Sequence, residues 1–322
     1  MSVLLVGLPR SGTTWVGKIL DSHPQTLYRH EPDRGGALRD VPIHAPPDAT
    51  DSYGARIESF LQALPASRDA RVCGKLPLFP KRYLPGWRFT AFKTSIYLDK
   101  ATRGRLPIPI TQPVSRINGA PVTVWKSIES TGRAGLIARC ASELRVIHLL
   151  RHPCGQIASI LRGEASGHFS DDCPSSEDWH LFAMLCDTPQ AQRHNLDLER
   201  LRAMDPVSRL AWRWVLFNEK AMDELDGLEN ACTVCYEDVC LEPEAIARRM
   251  IDFAGMEWDP AVEVFLGESA SSGTDAYYSV YRNAAREVDR WRERLEPEQI
   301  ERIGRVVEDT VPGALYRESF HG

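Results

Sequence analysis

The apolar run Val3-Leu4-Leu5-Val6 leads straight into Gly7-Leu8-Pro9-Arg10-Ser11-Gly12-Thr13-Thr14, and no other stretch of the chain constrains its fold as strongly. Unbroken apolar residues before a glycine suit a strand buried on both faces. Beyond Thr13, the residues Trp15, Val16, Ile19 and Leu20 recur at helical spacing until His23-Pro24 ends the pattern, because the residue before a proline is biased away from the helical region. The segment therefore reads as strand, glycine-bounded loop and helix over 13–22. The first N–H groups of a helix lack intrahelical acceptors and sit at its positive end, so such a loop suits an anion. Its frame is that of the phosphate-binding pattern G-x-x-x-x-G-K-[ST], with Thr13 in the lysine's place and Arg10 as the cation. Without the lysine that reaches β- and γ-phosphates, the expected ligand is a nucleotide other than a triphosphate.

The remaining pattern alternates strands with helices. Strands are predicted at Val122–Lys126, Arg145–Leu150 and Ala231–Tyr236, and helices at 154–162, from Leu210 to Leu225, from Pro243 to Phe253, and from Pro297 onward. That alternation argues for an α/β fold, a P-loop-like parallel sheet flanked by helices, in a single domain over 1–322 with long loop insertions. Residues 25–121, dense in proline, read as long loops around the sheet, with one helix near Arg56–Leu64. Residues 163–205 read as an acceptor-side insertion.

A formal net charge of −5 gives no global argument for nucleic acid or an anionic membrane. Eight Lys and Arg between Lys81 and Arg116 face Asp99 alone, which is either a solvated basic loop or a rim that attracts anions. Cys232 and Cys235 form a CxxC, but on a strand their side chains point to opposite faces. Free thiols in a reducing compartment follow, with no metal expected. No apolar stretch reaches transmembrane length, so a cytoplasmic protein is the expectation.

A second constellation lies further on. Arg151 ends Val-Ile-His-Leu-Leu, and Ser159 follows eight residues later on the next helix. An arginine fork with a hydroxyl suits a dianionic phosphate monoester. Together, Arg10-Ser11-Gly12-Thr13-Thr14, the following Leu20-Asp21-Ser22-His23-Pro24, and the Arg151/Ser159 pair resemble the sulfotransferases that use 3′-phosphoadenosine 5′-phosphosulfate (PAPS). The likeness is greater to the carbohydrate and protein-tyrosine branches than to the cytosolic one, whose loop usually carries Lys where this chain has Arg10. It spans residues 3–31, 122–162 and 207–309, and includes Tyr236-Glu237-Asp238-Val239, similar to the family's "YEDL" segment.

The resemblance implies roles. Arg10, Ser11, Gly12, Thr13, Thr14 and Trp15 would hold the 5′-phosphosulfate. Arg151 and Ser159 would hold the 3′-phosphate, helped by Arg282, with Arg286 as the alternative. Glu31 stands seven residues after Pro24, where those branches place a catalytic glutamate. Burial is expected to raise its pKa toward that of a useful base, and His30 is the alternative base. Lys126, at the end of its strand, would join Arg10 as a cation for the leaving group. The expected products are a sulfate ester on a hydroxyl-bearing small molecule, glycolipid or carbohydrate and adenosine 3′,5′-bisphosphate, with no nucleic-acid partner. A P-loop kinase or NTPase would need the missing lysine, although Glu237-Asp238 imitates its magnesium-holding acid. A nucleotide-binding protein without catalysis is the third alternative.

Overall fold

The computed structural model describes residues 1–34, 36–105, 108, 110, 120–167, 173–271 and 284–320. Five strands form one parallel sheet: β1 (Ser2–Val6), β2 (Thr26–His30), β3 (Val122–Ser127), β4 (Leu144–Leu150) and β5 (Ala231–Cys235), in the order β2-β3-β1-β4-β5. The helices in chain order are α1 (Thr13–Ser22), α2 (Thr50–Ala63), α3 (Ala70–Cys73), α4 (Gly86–Thr102), α5 (Ala134–Cys140), α6 (Pro153–Ala165), α7 (Trp179–Cys186), α8 (Pro189–Arg193) and α9 (Leu198–Ala203). They continue with α10 (Pro206–Leu225), α11 (Tyr236–Leu241), α12 (Pro243–Phe253), α13 (Pro260–Ser271), α14 (Ala284–Asp289) and α15 (Pro297–Val307).

Central β1 explains why its sequence is apolar without alternation. Val3 and Leu5 pack into the layer holding α1, α11, α12 and α13, while Leu4 and Val6 pack on the opposite face against α2 and α5. Both faces are covered, as in a parallel sheet wrapped by crossover helices. β5 is likewise covered on both faces: Cys232 joins the first layer and Cys235 packs against the cluster that includes α6 and α10, and both thiols are free. Burial pushes each of them up to about 11.

The region 25–121 is more ordered than the proline count suggests. It contains β2, α2, α3 and the long α4. The supposed basic rim is also not uniform. Lys81 is buried and bonds Asp21 Oδ1 at 2.8 Å, and Arg82 reaches Asp259 at 2.6 Å. Tyr83 and Phe92 are buried, whereas Trp87 and Tyr97 are exposed. Likewise α7, α8 and α9, inside 163–205, contribute Phe182, Leu185, Ala191 and Leu201 to the same core cluster as Trp214 of α10. No described helix is long and apolar enough to cross a membrane.

Candidate active site

Each candidate among the described residues lies at the carboxyl edge of the sheet, where parallel α/β folds place ligands. The loop after β1 carries Arg10 to Thr14, Glu31 follows β2, Lys126 closes β3, Arg151 follows β4, and Tyr236 follows β5. Register fixes neighbours: His30 pairs with Lys126, Val6 with both Ser127 and His148, and Leu150 with Cys235.

The first loop is built for close approach. Arg10 has φ 73° and Gly12 φ 94°, both left-handed. For arginine that conformation is uncommon, and at position 12 glycine is required, because a Cβ there would lie 2.3 Å from the Tyr236 ring. Gly12 starts α1 with no side-chain cap and no acidic residue in the first turn. The loop carbonyls are held from the β4 exit and α6: Arg151 Nη1 donates to Arg10 O at 2.9 Å, and Gln156 Nε2 donates to Pro9 O at 2.9 Å.

The two motifs that sequence reading separated by 149 residues meet directly. Arg10 Nε donates to Ser159 Oγ at 3.0 Å. The guanidinium expected at the leaving group is thus bonded to the hydroxyl expected at the 3′-phosphate. Arg151 lies over the Tyr236 ring, 4.7 Å from its centroid, and Tyr236 meets Trp15 edge-on at 5.9 Å. Among the described residues, three buried polar atoms here have no hydrogen-bonding partner: Ser11 Oγ, Trp15 Nε1 and Arg151 Nε. Buried polar groups are nearly always paired, so these orphans fit a polar, anionic ligand. Thr13 is buried beside them, and Thr14 is half-buried. Arg282 lies outside the described residues, as does the side chain of Arg286.

Glu237 occupies itself elsewhere. Its Oε1 accepts from His152 N at 3.0 Å and its Oε2 from Tyr316 OH at 2.9 Å. The segment that imitates a magnesium-holding acid therefore ties β5 to the start of α6 and to the C-terminal segment.

The other half of the site centres on Glu31. Its N–H donates to Lys126 O at 2.8 Å, continuing the β2–β3 ladder, and φ 47° then turns the chain away. Lys126, 1% exposed, donates through Nζ to Glu31 Oε1 in a short ion pair. Arg34 Nη1 lies 3.4 Å from Oε2. This corrects the expected pKa of Glu31. Burial raises it, but the Lys126 charge and hydrogen bond, with Arg34 and Lys75, outweigh burial and hold the carboxyl below its ordinary value. His30, the alternative base, is shifted in the same direction. Burial first, then the charges of Lys126, Lys75, Lys18 and Arg34, push its imidazole far below the ordinary range, and Tyr28 OH lies 3.0 Å from its Nδ1.

Sequence reading missed two supports. Asp33, buried, accepts from Ser127, Ser130 and Trp125 Nε1 and lies 3.7 Å from Arg133, pinning the β2 and β3 exits together. Lys75 has no hydrogen-bonding partner for its ammonium among the described residues. Its pKa is lowered by burial, raised in part by Glu31 and lowered further by Lys100 and Arg10. Its loop, Cys-Gly-Lys-Leu-Pro, offers no periodic signal, and only its carbonyl, accepting from Lys18 Nζ at 2.7 Å, ties it to α1.

The sequence model of the sulfotransferase family matches residues 2–260, most of the chain. The chain belongs to that family. Among solved structures it is similar to the sulfotransferase domain from the curacin biosynthetic pathway, at 14% identity and a TM-score of 0.44, over 94% of this chain and 96% of that one. It is also similar to a sulfotransferase from Alicyclobacillus acidocaldarius, at 12% identity and 0.43, over 100% and 98%. A mouse sulfotransferase complexed with PAP gives 12% and 0.45, over 99% and 88%. No curated protein sequence matches the chain. As a sulfotransferase, it has the α/β parallel-sheet fold expected from its first strand, loop and helix.

Proposed function

We propose that this sulfotransferase moves the sulfuryl group of PAPS to a hydroxyl of a small-molecule, glycolipid or carbohydrate acceptor, giving a sulfate ester and adenosine 3′,5′-bisphosphate. The observation that carries this reading is the meeting of Arg10, Arg151 and Ser159 beside the orphaned Ser11, Trp15 and Arg151 atoms. A donor with phosphates at both ends of one ribose needs two anion grips close together. The helix start with Ser11 to Trp15 serves the 5′ end, and Arg151 with Ser159 serves the 3′ end. Arg10 spans both, and Arg282 remains a further candidate for the 3′-phosphate.

Catalysis then falls to the Glu31–Lys126 pair. In the free protein each satisfies the other. Once Lys126 turns to the oxygen that bridges phosphorus and sulfur, Glu31 loses the neighbour that held its pKa down. Burial then raises its affinity for a proton. Glu31 takes the acceptor's hydroxyl proton as the new O–S bond forms, while Lys126 and Arg10 stabilise the charge on the departing 5′-phosphate. Lys75 supplies one more cation at the junction. The commitment of both Glu237 oxygens to protein donors weighs against the kinase reading.

A panel of hydroxyl compounds incubated with sulfur-labelled PAPS tests this. The expected result is one acceptor gaining one sulfuryl mass, with adenosine 3′,5′-bisphosphate released. Magnesium-dependent ATP turnover with no sulfuryl transfer would overturn it.

A further inference from the structure

We infer that Tyr28 and His30 form a positioning pair for Glu31: Tyr28 fixes His30 with its proton on Nε2, and that N–H holds the Glu31 carboxylate once Lys126 leaves it. The inference rests on the reading of Glu31 as the base.

The argument starts from Tyr28, whose side chain is almost wholly buried. Gly17 of α1 makes room for it, since a Cβ there would come within 2.9 Å of the phenol oxygen. Lys18 Nζ sits 4.3 Å from the ring centroid. An ammonium only donates, so it gives the Tyr28 hydroxyl no acceptor. Among the described residues the one acceptor within reach is His30 Nδ1, at 3.0 Å. The phenol donates to it, and a neutral imidazole that accepts at Nδ1 carries its proton on Nε2. The surroundings enforce the neutral form. Lys126 from β3, Lys75 from the loop after α3, Lys18 from α1 and Arg34 from the turn after β2 all oppose a charge on His30, on top of its burial.

His30 Nε2 lies 3.7 Å from Glu31 Oε1. That is beyond a hydrogen bond, and the same oxygen is held by Lys126. The imidazole is therefore a second donor standing beside an oxygen that already has one. When Lys126 turns to the donor nucleotide, a small closure brings Nε2–H onto Oε1. Oε2, 3.4 Å from Arg34, is left as the oxygen that receives the proton. A lone pair on Nε2 would instead repel the carboxylate, so the tautomer set by Tyr28 decides whether His30 helps or hinders. The arrangement also explains why His30 is not itself the base: both ring nitrogens are assigned before any acceptor arrives.

The test uses the full chain with adenosine 3′,5′-bisphosphate as the probe. Nitrogen-15 spectra of ring-labelled histidine, with His30 assigned from its loss in His30→Gln, should show a neutral Nε2–H tautomer with and without the bisphosphate. Tyr28→Phe should give mixed tautomers. An Nδ1–H tautomer in the unaltered protein would overturn the inference. The Glu31 carboxyl, followed by carbon-13 in the bisphosphate complex, gives the second readout. The groups facing it are Lys126, Arg34, Lys75, His30, Tyr28 and Glu129. Glutamine can place an N–H where Nε2–H lies and asparagine cannot. His30→Asn should therefore raise the Glu31 pKa by about one unit, while His30→Gln leaves it in place. Equal titrations in both variants would overturn the positioning role alone. Full turnover by Glu31→Gln would overturn the base assignment alone. Retained bisphosphate binding certifies that each variant is folded.

Discussion

The two halves of the site sit on the same sheet edge in opposite states. At the β1 and β4 ends, Ser11, Trp15 and Arg151 keep buried polar atoms without partners among the described residues. At the β2 and β3 ends, Glu31 and Lys126 satisfy each other. The proposed function makes the first half a mould that the donor completes. It makes the second a closed pair that the donor opens. Under the proposed function, the difference means that donor recognition is organised in advance, whereas the base is held back until the donor is in place. Left-handed backbone at Arg10 and Glu31, one in each half, fits that division, because such strain at non-glycine residues gathers at functional positions.

Substitutions that strike one half should spare the other. The largest effect is expected from Glu31→Gln, which should lower turnover by about 10²–10⁴-fold with adenosine 3′,5′-bisphosphate affinity little changed. Parallel losses in a kinetic and calorimetric comparison would erase the distinction between the halves. Opening a buried pair by removing one member costs on the order of 3–5 kcal/mol, so a thermal melt belongs beside that measurement.

Arg151→Ala acts on the mould. It should weaken adenosine 3′,5′-bisphosphate by roughly 10–100-fold, the worth of hydrogen bonds to a charged group, and leave adenosine 5′-phosphosulfate binding nearly intact. Lys75→Met should slow transfer about tenfold with no change in bisphosphate affinity, since its charge belongs to the catalytic half. Ser159→Ala, removing one neutral partner, should cost roughly 2–10-fold in bisphosphate binding.

The smallest effect is a displacement along the pH axis. Glu31 is depressed in the free protein by Lys126. A depressed carboxylate contributes stability above its unfolded pKa and loses it as pH falls through the folded pKa, so the free protein should keep the pair well into acid. With donor bound and Lys126 engaged elsewhere, the Glu31 pKa rises. The acid limb of kcat, which reports the complex, should therefore lie about one pH unit above that of kcat/KM for the donor. Coincident limbs would mean that the pair does not open.

Much of the donor half was legible because its signals are local. The bounds of α1 match the periodicity ending at His23-Pro24, and Arg151 and Ser159 sit on a strand end and helix as their spacing implies. The rest depends on long-range pairing. β2 escaped notice because Thr26-Leu-Tyr-Arg-His looks too polar for a buried strand. Yet Arg29 is wholly buried, donating to the carbonyls of Leu64, Pro65 and Tyr28. Lys81 looked like a rim cation because Asp21, its partner, is 60 residues away. The helix α4 was hidden by Trp87, Tyr97 and Leu98 on its exposed side, which blur its period. The Glu31 pKa was misjudged for the same reason: sequence revealed the burial, and only the fold revealed that Lys126 faces it.

The most direct measurement compares adenosine 3′,5′-bisphosphate with adenosine 5′-phosphate by calorimetry on the unaltered protein. If the Arg10, Arg151 and Ser159 cluster is the grip on a 3′-phosphorylated donor, loss of the 3′-phosphate should weaken binding at least about tenfold, and Arg151→Ala should abolish that gap. Equal affinity for the two nucleotides would contradict the account at its centre.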